Sequence, residues 1–131
     1  MNKDKKLLLN DLAKRVEQSR KDRVELHDIP CEELGGSLAV VKMPMGKILD
    51  LMDEFSEDMT LREQLNKTRE LIYDHVPMLH SKELQSREEL AEPYDIVDMV
   101  FGDNFFAMQK FANKIFGLYG IEGLENEIKN L

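Results

Sequence analysis

The spacing of apolar positions changes character twice along the chain. Over residues 4–21 a narrow stripe of Leu8, Leu9, Leu12 and Val16 recurs at helical spacing, predicting an amphipathic helix within an N-terminal segment, 1–22, that either docks loosely on the body or awaits a partner. From Arg23 the pattern alternates. "RVELHDIP" sets Val24, Leu26 and Asp28 on one side and suits a strand ended by Pro30. "EELGG" reads as a turn, and "SLAVVKMP" is the clearest strand signal, stopped by Pro44. Two short strands about a Gly-Gly turn predict a β-hairpin within 23–44. Beyond Pro44 the period is helical again, and 45–120 reads as a helical body.

Within that body, 45–58 predicts a helix burying Ile48, Leu49, Leu51, Met52 and Phe55, with an acidic opposite face. Thr60 and Glu63 form a T-x-x-E capping box for a helix running to about Val76, striped by Leu61, Leu65, Leu71 and Ile72 and stopped by Pro77. Ser81, and Ser86 with Glu89, suit the starts of one or two short helices. Pro93 suits another helix start, turning Ile96, Val97, Val100 and Phe101 inward. The last helix fits between the caps Asp103 or Asn104 and Gly120, and residues 121–131 read as a weakly amphipathic tail. The expectation is a single compact helical domain over 1–131, mainly α with a small N-terminal β-hairpin.

The last helix contains adjacent phenylalanines, Phe105 and Phe106, which must point about 100° apart. A helical wheel puts Phe105, Met108, Phe111, Ala112, Ile115 and Phe116 in one broad arc. Phe106 falls among Gln109, Lys110 and Lys114 on the polar side. Phe105 is therefore expected in the core, with Met108, Ile115 and Phe116 and with Leu49, Met52, Phe55, Leu65, Ile72, Val97, Val100 and Phe101 from the earlier helices. Phe106 and Lys110 are expected on a protein-interaction surface. Tyr73, off the stripe of its own helix, and Leu8 and Leu12 of the thin N-terminal stripe join them as candidates.

Charge sharpens this picture. The chain carries a net −8 over 131 residues. Residues 1–23 hold eight basic and four acidic side chains, a local +4 that leaves −12 on the rest. An acidic body repels nucleic acid, and the basic positions lack the interleaved aromatics of a single-strand binder. The basic segment reads as a solvated helix or as a dock for an acidic surface, on a partner or on the chain's own body. No apolar run is long enough to span a bilayer, and the start does not read as a signal peptide. With a single cysteine, Cys31, the expectation is a cytoplasmic protein without an internal disulfide.

The sequence shows no arrangement that reads as catalytic or cofactor-binding. His75 and His80 straddle Pro77 and so lack the i, i+4 geometry of a helical zinc pair. Cys31 sits beside Glu32 and Glu33, whose like charge disfavours a thiolate. The carboxylates Asp50, Asp53, Glu54, Glu57 and Asp58 lack the order of a calcium loop and read as a solvated face. No catalytic residue, metal or cofactor is therefore expected, and the protein is read as a non-enzyme. Eight methionines suit core filling or adaptable apolar contacts.

The order of features carries a resemblance. A helix and hairpin lead to "LAVVKMPMGKILDL", then to a helix ending "LIYDHVPML", then "SKEL", "DIVDMVF" and a last helix closing on "LYG". Over roughly residues 35–120 this series resembles the tail assembly chaperones of long-tailed bacteriophages and prophages of Gram-positive hosts. The resemblance implies a non-enzymatic helper in the host bacterial cytoplasm. It would bind the tape measure protein while tail-tube subunits assemble around it. The tail-tube protein, a frameshifted longer form of the chain and a second copy are further partners it implies or allows. The family brings no catalytic residues. A small protein-binding adaptor or regulator unrelated to tails is the competing expectation.

Overall fold

The computed structural model describes residues 6–56, 58–86 and 90–120. The first helix, α1, is Leu9–Val24. Its start is fixed by Asp11, whose carboxylate accepts the Leu8 backbone N–H at 2.9 Å. It ends later than the sequence predicts, so Val24 lies on the helix and not in a strand. The predicted start at residue 4 falls partly outside the described residues.

The hairpin follows, with β1 at His27–Cys31 and β2 at Gly36–Val40, antiparallel in the register His27 with Val40 through Cys31 with Gly36. The inward positions of β1 are Ile29 and Cys31, whereas Val24 and Leu26 are exposed. Pro30 therefore does not end the strand as predicted. It pairs opposite Ser37 inside it, which a sheet of two edge strands tolerates because no further strand requires the missing N–H. A 3-10 turn, Glu32–Leu34, joins the strands through Gly35, whose φ of 74° is the left-handed conformation glycine adopts freely.

Beyond the hairpin lie α2 (Met45–Asp53), α3 (Leu61–His75), a 3-10 turn at Pro77–His80, α4 (Lys82–Gln85), α5 (Asp95–Val100) and α6 (Phe105–Gly117). The caps act as their sequences imply. Thr60 Oγ1 accepts the Glu63 N–H at 3.1 Å, Ser81 Oγ accepts that of Leu84 and Asn104 Oδ1 that of Ala107. Asp103, at φ 59°, forms the tight turn before α6 and is not the cap. Glu57, Glu89 and the tail 121–131 lie outside the described residues.

The core forms where α3 meets α5 and α6, with β1 laid across α6. Ile48, Leu71, Ile72, Val97, Met108, Phe111 and Ile115 are all but fully enclosed. Leu79 and Val76 seal it beside the 3-10 turn, and Phe101 packs on Phe111 with ring centroids 5.6 Å apart. Met52, Leu65, Val100 and Phe116 pack at its margin, whereas Phe55, expected in the core, is half-buried outside the cluster and meets Phe116 edge-on.

Two more expected core residues lie outside the cluster. Leu49 is 42% exposed. The inward face of α2 centres between Ile48 and Leu51, and Leu49 lies about 130° away from it. Phe105 is only half-buried and stays outside the core cluster. It is the first residue of α6 and sits about 90° from the centre of that helix's buried arc. A wheel that read the arc too broadly admitted both.

Candidate functional site

The polar groups of the interior are used to close the fold. His75, at the end of α3, is fully enclosed. Its Nδ1–H donates to the Leu71 carbonyl at 2.8 Å, which fixes the tautomer because a carbonyl can only accept. The other nitrogen, Nε2, accepts from the Tyr119 hydroxyl at 2.7 Å, and that hydroxyl accepts the Met43 N–H at 2.7 Å. The chain thereby ties the end of α6 to α3 and to the link before α2. Burial pushes the His75 imidazole below its ordinary range. The Leu71 carbonyl and Asp74 oppose that shift, and Lys47 adds to it. Such a histidine is held neutral for structure.

Tyr73 is also engaged. Its ring lies 4.0 Å from that of His80 and 4.9 Å from that of Tyr94, and its hydroxyl accepts from Gln85 Nε2 at 3.0 Å. The residue is half-buried and joins α3 to the segments on either side of α4, so its ring is not an outward-facing anchor as expected. Its off-stripe position reflects packing from a second side. Nearby, a polar cleft of about 280 Å³ is lined by Asn66, Arg69, Glu70, Glu92 and Tyr94. Arg69 is occupied there by the Asp98 carboxylate, with Nε to Oδ1 at 2.8 Å, and so joins α3 to α5.

Cys31 is buried, and burial leads the upward push on its thiol, with the Glu33 carboxylate adding to it. Among the described residues no group of three or more His, Cys, Asp or Glu side chains is placed to hold a metal ion. No helix among them is long and apolar enough to cross a membrane.

The remaining candidates lie on the outside. Phe106 is 69% exposed, almost diametrically opposite the buried arc of α6. The Lys110 ammonium sits 5.3 Å from its ring centroid and 2.7 Å from Glu33 Oε1, so one lysine joins the exposed ring to the hairpin turn. Met45, Met78 and Met99 are exposed elsewhere on the body. On α1 no residue is buried: Leu8, Leu9, Leu12 and Val16 all face solvent. That helix is held at its C-terminal end, where Asp22 pairs with Lys42 at 2.8 Å and the Asp22 carbonyl meets His27 Nε2 at 3.0 Å. Among the described residues, apolar side chains therefore stand open both on α6 and along α1.

The chain is a mainly α protein with a two-stranded hairpin near its N-terminus. Compared with known proteins, it matches no family model, no curated protein and no solved structure.

Proposed function

We propose that the protein is a phage tail assembly chaperone, a non-enzymatic cytoplasmic protein that holds the tape measure protein soluble during tail-tube assembly. The uncovered Phe106 on α6 carries the reading. An aromatic that contributes little to an isolated monomer is favoured as an anchor in a partner's apolar pocket. The exposed thioethers of Met45, Met78 and Met99 support it, because flexible side chains adapt to many apolar helices. The acidic charge of −8 supports it as well, since a charged carrier keeps an apolar client in solution. The resemblance over 35–120 supports the tape measure protein as the client.

The test is co-expression with the very long tape-measure gene expected beside this one. The two products should co-purify, and Phe106→Ser should lower the yield of complex by about tenfold while the melting temperature stays put. A tape measure protein equally insoluble with and without this chain would sink the reading. A genomic neighbourhood without tail genes would favour an unrelated adaptor.

A further inference from the structure

We infer that the open face of α1 docks on α2 of a second copy of this chain, in a reciprocal pair. On a helical wheel Leu8, Leu9, Leu12 and Val16 share one half of α1 with Arg15, Arg20 and Arg23. The face is thus apolar from Leu8 to Val16, with Arg15 at its edge, and cationic at Arg20 and Arg23. The three arginines form no ion pair among the described residues, and nothing on this face is buried.

The outward face of α2 has the complementary layout. Met45 and Leu49 are exposed at its N-terminal end, and Asp50 and Asp53 at its C-terminal end. Neither aspartate is ion-paired among the described residues, whereas Glu54 is already taken by Lys67 at 2.6 Å. The last turn of α2 holds no basic residue, so its carboxylates add to the negative end of the helix dipole instead of offsetting it. Laid parallel, the two helices match leucines to Met45 and Leu49 and arginines to Asp50 and Asp53. Val16 to Arg23 spans about 10 Å and Leu49 to Asp53 about 6 Å, a difference an arginine side chain absorbs. Two copies of α1 would pack less well against each other, since the arginines would face arginines if the helices ran parallel and leucines if they ran antiparallel.

The chain's own α2 is not the occupant. The Asp22–Lys42 pair and the turn into β1 hold α1 in a position where its stripe meets solvent. A twofold pair lets each α1 cover the partner's α2, so the contact is made twice and the assembly closes. This inference does not depend on the tape-measure reading.

The test is sedimentation of the full chain at micromolar concentration across a salt series. The wild type should be a dimer that loosens as salt rises. The double variants Arg20→Glu/Arg23→Glu and Asp50→Arg/Asp53→Arg should each raise the dissociation constant by at least ~tenfold. Combining all four substitutions in one chain should restore the dimer, because the charges are exchanged. All four side chains are exposed, so circular dichroism should be unchanged throughout. A monomeric wild type, a dimer indifferent to either reversal, or no rescue in the combined variant would overturn the proposal.

Discussion

At the residue scale, direction around a helix was legible but depth was not. The roughly 100° step between Phe105 and Phe106 correctly turned Phe106 to solvent. The same wheel gave Phe105 a core role that belongs to Phe111, because the start of a helix overhangs the core it serves. Truncating Phe101 or Phe111 to alanine should therefore cost about 3–5 kcal/mol in denaturant melts. Phe105→Ser should cost about 1 kcal/mol or less, the range of a substitution outside the core. Equal losses for Phe105 and Phe111 would contradict the packing described. The partnership of His75 with Tyr119 was not legible, since a hydrogen bond across 44 positions leaves no periodic trace. Tyr119→Phe would leave His75 Nε2 and the Met43 N–H unpaired, at about 1–3 kcal/mol. The pH dependence has a definite sign. The folded state lowers the His75 pKa from the ordinary 6.5, so the unfolded chain binds its proton first. The contribution of His75 is complete above that value and is lost as pH falls below it. An NMR titration should place the His75 midpoint under 6.5, and a midpoint above it would mean that the imidazole is solvated.

At the element scale, helices with strong local signals were read well, and elements set by distant contacts were read poorly. The Thr60 and Glu63 box marked the start of α3 to the residue, because a cap is chemistry among near neighbours. Thr60→Ala should cost about 1 kcal/mol, and an unchanged melting midpoint would show that packing alone sets this terminus. The start of β1 was missed. The alternation of Val24, Leu26 and Asp28 was genuine as a pattern, yet the strand buries Ile29 and Cys31 because α6 covers that side of the hairpin. Contact with α6 outweighs local alternation, as it does for Pro30 inside the strand. The polar cap on that contact is Lys114, whose ammonium donates to the Pro30 carbonyl at 2.8 Å. Among the interaction candidates, Phe106, Leu8 and Leu12 were legible as apolar residues on thin or polar faces. Tyr73 was misread because no wheel shows what packs from a second side.

At the scale of the whole molecule, the fold divides into a body built around a closed core and a helix that buries none of its residues. The interior of α3 and α6 includes Leu71, Ile72, Phe111 and Ile115, whereas α1 buries no residue and is held at one end through Asp22. A helix of 16 residues that buries none of them has marginal intrinsic stability and should open without unfolding the body. Amide hydrogen exchange should therefore be slowest across α3 and α6, at rates set by global unfolding. In dilute protein α1 should be the fastest-exchanging helix. Raising the protein concentration should slow exchange along α1 and, in parallel, on the outward side of α2, while α3 and α6 stay unchanged. That pattern follows because docking a second copy protects the two faces that meet and adds nothing to a core already closed. Protection of α1 as strong as that of α6 at every dilution would show that its own body covers the helix. Concentration-dependent protection that reached α1 but left α2 untouched would place the partner's contact on another face.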